Sequence, residues 1–244
     1  METVRSRQNK IVRYFISLGA DGDCRRASGE YLCAGGKLLH EAEKSGAEVT
    51  CVLWTDTWPG IPTLTVTPEI LDYVSPLKNG GGPVFSVKMR REPANRPRCA
   101  VVLENVQDPG NVGTVLRTAD AFGIDLVALC GACADPYSPK TVRASMGAIF
   151  RQSIALCTAD TLPAALGGLP MYGAALHTDS RDIRSLPAGG KAIAVGNEGR
   201  GLTEKLLSLC EGTVVIPMRP CAESLNAGVA AAVAMWEMKR EWRG

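Results

Sequence analysis

Three short stretches of this 244-residue chain carry polar side chains at spacings that suit chemistry. "DPGNVGTVLRTAD" (108–120) follows an apolar run and contains Asn111 and Arg117. "GNEGRGL" (196–202) sets a single acid, Glu198, among Gly196, Gly199 and Gly201, and glycines let backbone approach a ligand closely. "IPMRPCAESLNAG" (216–228) brings Ser224 and Asn226 to the start of an Ala-rich segment. A glycine-containing loop that opens a helix can hold phosphate on its unpaired N–H groups. The two standard nucleotide loops do not fit, because they need G-x-G-x-x-G or G-x-x-x-x-G-K-[ST]. Here the glycines of the first stretch are Gly110 and Gly113, with no lysine before the helix. Taken singly, each stretch also reads as ordinary structure: a capped turn, a flexible turn, and helix capping by Ser and Asn. Three such loops at the ends of three strands form a more specific constellation.

Other reactive groups are scattered. Nine cysteines give one C-x-x-C, "CGAC" at Cys130–Cys133, with no second pair at zinc spacing, so no metal-ligand set appears. The two histidines, His40 and His177, are far apart in sequence. Reduced cysteines suit an intracellular protein. Net charge is only +2, which gives no global polybasic signal. Residues 1–26 hold six cations (Arg5, Arg7, Lys10, Arg13, Arg25, Arg26) against three acids, a basic edge able to meet phosphate or to serve as a solvated face.

The elements that must position these loops follow from hydrophobic pattern. Ile11, Val12, Phe15 and Ile16 recur at helical spacing, and "GEYLCAGGKLLHEAEKSG" reads as a short strand leading into a helix. "EVTCVLWT", "PTLTVT" and "VFSVKMR" read as strands, giving a small α/β unit. "RREPANRPR" is charged and proline-containing, a linker signature, so the chain divides into residues 1–92, a linker at 93–98, and residues 99–244. Beyond the linker, "CAVVLENV", "DLVALC", "MYGAALH", "KAIAVGN" and "TVVIPM" are near-continuously apolar, as strands of a parallel sheet covered on both faces are. Ligands of such sheets collect at the C-terminal ends of the strands. Asn111 is read as the N-cap of the helix after the first strand. Val112, Val115, Leu116 and Ala119 form its apolar stripe, with Arg117 on the polar side.

"DPGNVGTVLRTADAFG", "DPYSPKTVRASMGAIF", "AIAVGNEGRGL" and "VVIPMRPCAESLNAGVAAAVAMWE" resemble, in order and spacing, the motifs of the SPOUT methyltransferases. The similarity is to the TrmH (SpoU) branch, which methylates ribose 2′-hydroxyls of RNA with S-adenosylmethionine, and it runs from about residue 99 to the C-terminus. The N-terminal part is similar to the L30e-like substrate-binding domain, with Ala34 where an acid is common. The resemblance implies an α/β fold: a C-terminal SPOUT domain with a parallel sheet and a deep trefoil knot, preceded by a small L30e-like α/β domain. Knots are otherwise essentially absent from proteins, so only the resemblance implies one.

By the same resemblance Asn111, Arg117, Glu198, Ser224 and Asn226 are the catalytic set. Leu176, Gly196, Asn197, Ile216, Met218 and Leu225 would line the S-adenosylmethionine site, largely through backbone groups. A guanidinium stays protonated in proteins, so Arg117 is expected to hold an RNA phosphate and orient the 2′-hydroxyl rather than act as a base. Arg25, Arg26, Lys37 and Arg143 are the candidate RNA contacts, Arg143 having completion of a partner subunit's site or a helix-face salt bridge as its alternatives. In the family it resembles, the helix corresponding to the Ala-rich C-terminal segment also pairs two subunits, so the resemblance implies a homodimer, with core packing as the plain alternative for that helix.

The resulting expectation is an RNA 2′-O-methyltransferase, cytoplasmic and without a membrane segment, acting on 23S ribosomal RNA. Transfer-RNA methylation, a non-catalytic RNA-binding protein with a decayed catalytic domain, and a nicotinamide-dependent oxidoreductase are the alternatives. The missing dinucleotide fingerprint speaks against the last. Thiostrepton-resistance enzymes share the two-domain layout, so antibiotic resistance stands beside housekeeping modification.

Overall fold

The computed structural model describes residues 3–76, 82–90, 96–219 and 224–240. Half of the linker read at 93–98, residues 93–95, and the last residues of the C-terminal helical segment lie outside the described residues. The chain forms two compact units: residues 1–90 with 135–150, and residues 91–134 with 151–244. The segment 135–150, inside the range read as the SPOUT domain, thus packs with the N-terminal residues.

The first unit runs α1 (Lys10–Ala20), α2 (Gly22–Ser28), β1 (Glu30–Ala34), α3 (Gly36–Lys44), β2 (Val49–Trp54), β3 (Thr63–Thr65), α4 (Pro68–Val74) and β4 (Val84–Lys88). Its sheet has the order β1-β4-β2-β3 and is mixed: β4 pairs antiparallel with β1 and β2, whereas β2 and β3 are parallel. Asn9 caps α1 through its Oδ1, and the helix buries Val12, Phe15 and Leu18 against the sheet. Ile11 lies outside that stripe and is exposed.

The second unit is built on a seven-stranded, all-parallel sheet. In chain order come β5 (Cys99–Glu104), α5 (Pro109–Ala121) and β6 (Leu126–Cys130). The chain then contributes α6 (Pro139–Ala144) to the first unit and returns with β7 (Ile154–Cys157), α7 (Leu162–Leu166), β8 (Met171–Ala174) and β9 (Arg181–Asp182). It ends with β10 (Lys191–Val195), α8 (Glu204–Leu207), β11 (Gly212–Val215) and α9 (Ala227–Met238). The order across the sheet is β7-β6-β5-β10-β8-β11-β9. Every residue of β6 and β10 is buried, because helices cover both faces of a parallel sheet. Two strands, β7 and β9, were not expected from the apolar runs.

Helix α5 sets much of the site. Pro109 occupies its first turn, where a missing N–H costs nothing, and Asp108 caps it by accepting the Asn111 N–H at 2.9 Å. Asn111 is therefore not the cap: it lies inside the first turn with its side chain released for other contacts. Val112, Val115, Leu116 and Ala119 are fully buried, each large apolar side chain contributing about 1.5–3 kcal/mol. Helices α5 and α9 pack together, and α9 also rests on β5 and β10.

Candidate functional site

The loops after β8, β10 and β11 and the start of α9 surround a cleft of about 560 Å3 in the second unit. It lies at the C-terminal ends of parallel strands, where ligands of such sheets collect. Leu176, Gly196, Asn197, Ile216, Met218 and Leu225 all line it, as do Glu198 and Ser224. Leu176 is unusually open, with 63% of its surface exposed, whereas Ile216, Met218 and Leu225 are half-buried.

The turn after β10 is held by its own backbone. A Cβ on Gly196 would stand 2.2 Å from the Gly201 carbonyl carbon and 2.5 Å from the Leu202 nitrogen. The close approach that Gly196 permits is thus first to its own loop. Gly201 adopts a φ of +67°, a conformation favouring glycine. Asn197 organises the same turn: its Oδ1 accepts the N–H groups of Gly199 (2.9 Å) and Arg200 (3.2 Å), and its Nδ2 donates to the Asn105 carbonyl at 3.1 Å. Asn197 reaches the cleft as a lining residue whose amide is already committed to the loop.

Beside this cleft, three distant stretches join through side-chain amides. Asn226 caps α9, its Oδ1 accepting the Val229 N–H at 3.2 Å. That bond leaves its Nδ2 to donate to Asn111 Oδ1 at 3.0 Å. Asn111 in turn donates Nδ2 to a carboxylate oxygen of Glu198. The helix N–H fixes the orientation of Asn226, which fixes that of Asn111, which presents its donor to Glu198. Gly228 lets the two helices approach here, since a Cβ at that position would lie 3.2 Å from Asn226 Oδ1 and 3.3 Å from Asn111 Oδ1. Arg117, two turns along α5 from the helix start, is exposed and has no hydrogen bond or ion pair among the described residues. Ser224 is exposed at the edge of the cleft.

The candidate RNA contacts fare differently. Arg25 is 5% exposed, donates to Asp135 at 2.6 and 2.9 Å and to the Leu18 carbonyl at 2.6 Å, and so ties the first unit together. Its burial withdraws it from any surface role. Arg26 is exposed and paired with Asp23, and Lys37 and Arg143 are exposed with no ion pair among the described residues. The salt bridge considered for Arg143 is not formed.

The cysteine pair is structural. Cys133 Sγ donates to the Leu103 carbonyl at 3.3 Å, and Cys130 faces Cys157 across the β6–β7 pairing. Burial pushes the Cys157 thiol up to about 12 and that of Cys210 to about 11, so both stay protonated at neutral pH. No group of three or more metal-ligating side chains occurs among the described residues, and no helix among them is long and apolar enough to cross a membrane.

What the sequence reading missed is Asn105. This residue after β5 takes a φ of +55°, accepts the Ala132 N–H on Oδ1 at 2.8 Å and carries the carbonyl that holds Asn197. Asn tolerates that conformation better than most residues, yet only the fold reveals that the Asn105 of "LENV" is left-handed.

The model of the SpoU rRNA Methylase family matches residues 98–236. An uncharacterized tRNA/rRNA methyltransferase of Synechocystis is 30% identical over 98% of this chain and 94% of its own length. The 23S rRNA (guanosine(2553)-2′-O)-methyltransferase RlmP of Bacillus subtilis is 29% identical over 98% of this chain and all of its own. The crystal structure of an AdoMet-bound rRNA methyltransferase from Sinorhizobium meliloti superposes with a TM-score of 0.88 at 26% identity, covering all of this chain and 99% of that one.

Proposed function

The chain belongs to the SpoU rRNA methylase family, and from that membership we propose that it methylates a ribose 2′-hydroxyl of 23S ribosomal RNA with S-adenosyl-L-methionine. The observation that carries the reading is the chain of contacts Asn226–Asn111–Glu198, which gathers one residue from each polar loop beside one cleft. Among relatives that span nearly all of this chain, that of Bacillus subtilis is named a 23S rRNA 2′-O-methyltransferase and that of Sinorhizobium meliloti an AdoMet-bound rRNA methyltransferase, which supports the reading.

The cleft suits the cofactor. Its volume falls in the range of about 300–1,000 Å3 usual for small-molecule sites. Leu176, Ile216, Met218 and Leu225 give apolar walls for an adenine, and the strand-end loops offer backbone N–H and C=O groups to its polar edge. S-adenosylmethionine supplies, when bound, a methyl group on a positively charged sulfur. The remaining tasks fall to side chains. Arg117, unpaired and exposed on α5, takes a phosphate of the substrate backbone in its planar fork and so orients the neighbouring ribose. Asn111 and Glu198, mutually fixed, and Ser224 at the cleft edge receive the ribose hydroxyls. The hydroxyl proton leaves to the phosphate or to water. Such positioning can supply up to about 7–11 kcal/mol at its ideal limit.

The same reading includes a trefoil knot, an L30e-like identity for the first unit, RNA contacts through Arg26, Lys37 and Arg143, and a cytoplasmic location. It also includes a homodimer through α9. Val229, Val233 and Trp236 lie at helical spacing with 49%, 36% and 63% of their surfaces exposed, and Trp236 packs its ring 5.6 Å from that of Phe122. An uncovered apolar stripe of this kind suits association with a second copy.

The test is a map of 2′-O-methylation by mass spectrometry in RNA from cells with and without the gene. Loss of one ribose methyl from 23S ribosomal RNA is expected. Loss from a transfer RNA would correct the substrate, and an unchanged map would overturn the activity.

A further inference from the structure

A second cavity, of about 380 Å3, adjoins the cofactor cleft and shares Asn197, Arg200, Gly201 and Leu202 with it. Asn105, Gln107, Ala132 and Thr203 complete its lining, and the catalytic reading uses none of those four. Its framework is rigid. Asn105 is held at three points: its N–H donates to the Cys130 carbonyl (3.1 Å), its carbonyl accepts from Asn197, and its Oδ1 accepts from Ala132. Gly131 leaves room for that side chain, since a Cβ there would sit 2.5 Å from Asn105 Oδ1. Thr203 is anchored by its N–H (2.8 Å) and Oγ1 (2.7 Å) to the buried carboxylate of Glu104.

After these bonds, three polar groups remain without partners among the described residues: Asn105 Nδ2, the Gln107 amide and the Arg200 guanidinium. No buried side-chain nitrogen or oxygen among the described residues lacks a partner, so these three groups are accessible. They make a donor-rich set with one amide acceptor. One guanidinium flanked by carboxamides in a concave, fixed seat differs from the rows of cations that follow a phosphate backbone. It matches the edge of a base, and an arginine pairs best with the O6 and N7 acceptors of guanine. Unstacked RNA bases are read in this way, by hydrogen bonds to their exposed edges. Gln107 also lies four positions before Asn111, so the seat adjoins the contact chain that would receive the ribose.

We propose that this cavity is a base-reading subsite that seats an unpaired guanine of the RNA substrate. Arg200 and Asn105 Nδ2 donate to the acceptors of the base, and Gln107 supplies the acceptor that a guanine N–H requires. The subsite rests on the RNA-methyltransferase reading for its purpose, but its ligand chemistry can be measured alone.

The experiment titrates the full-length, isotope-labelled protein with GMP, CMP and inorganic phosphate while amide resonances are followed by NMR. GMP is expected to shift the Gln107 side-chain amide and the backbone amides of Ala132 and Arg200 saturably. CMP and phosphate should leave them in place, and Gln107→Ala should weaken GMP binding at least fivefold. Equal shifts with phosphate, or none with GMP, would overturn the subsite. In parallel, methyl transfer into ribosomal RNA from cells lacking the gene is expected to show kcat/KM for RNA about tenfold lower in Gln107→Ala, through KM, with the KM for S-adenosylmethionine unchanged. A variant with wild-type KM for RNA counts against the proposal. GMP shifts without any methyl transfer by the wild type would sink the activity and leave the subsite standing.

Discussion

Asn226 performs two tasks with two ends of one amide, and a pair of substitutions separates them. Its Oδ1 caps α9 and its Nδ2 holds Asn111. Asn226→Ala removes both: the lost cap costs about 1 kcal/mol, within a range of about 0.5–2, and the lost amide bond about 1 kcal/mol more. For a chain of this size each kcal/mol lowers Tm by about 2–4 °C, so a fall of about 4–8 °C is expected. Asn226→Asp keeps an oxygen for the Val229 N–H, and Asp caps as well as Asn. It cannot donate, however, so it presents a second acceptor to Asn111 Oδ1. Asn111 then either loses this contact or turns its amide over and sets Oδ1 against the Glu198 carboxylate. In both outcomes the contact chain breaks while the helix cap survives. A misplacement of about 1 Å at a reacting centre can cost about a hundredfold in rate. The expected result for Asn226→Asp is a Tm within about 2 °C of wild type with kcat/KM lowered about 10- to 100-fold, read by thermal melting and by methyl transfer into RNA. Wild-type kcat/KM in Asn226→Asp would refute the reasoning, as would equal losses of Tm in the two variants.

Arg117→Lys keeps the charge but loses the two-pronged fork; because the side chain is exposed and unpaired, Tm should not move while kcat/KM for RNA falls at least tenfold. A variant with full turnover would remove phosphate positioning from the account. Gly196→Ala forces a methyl into the backbone of Gly201 and Leu202, so the turn after β10 must open. Calorimetry should then show S-adenosylmethionine binding lost, and the melt should show about 1–3 kcal/mol of destabilisation. Alkaline stability follows from the thiols. Cys157 and Cys210 are raised by burial to about 12 and about 11, whereas in the unfolded chain they ionise near 9. The unfolded state therefore loses protons first as pH rises, and stability present in full below pH 9 is lost between pH 9 and about 12. Melting under reducing conditions should show Tm level from pH 7 to 8.5 and falling above, less steeply in Cys157→Ala; a level Tm to pH 10.5 would contradict this. Val233→Glu places a charge in the uncovered stripe of α9 and should convert a dimer to monomer in sedimentation, whereas an unchanged mass would move the interface elsewhere.

The sequence by itself determined the strands whose residues are buried on both faces. β5, β6, β8 and β10 stood out because a covered parallel strand has no polar side to interrupt it; β11 stood out by the apolar run "TVVIPM", although only Val214 of its four residues is fully buried. The same rule hid β7, whose Leu156 is 60% exposed in a four-residue strand, and β9, which is only two residues long. The stripe of α5 was legible from spacing alone. Its cap was not assigned correctly, although Asp108 followed by Pro109 was signal enough, since proline favours the first helical position. The identities of Asn111, Glu198 and Asn226 were legible as motifs. Their union was decided only by the fold, because residues 87 and 115 positions apart meet through the closing of the sheet and the packing of α9 on α5. Arg25 makes the same point in reverse. A cation in a basic stretch reads as surface, yet a carboxylate 110 residues later buries it. Local pattern reports which face of an element is apolar; which polar groups meet depends on contacts between elements, and those exist only once the chain has folded.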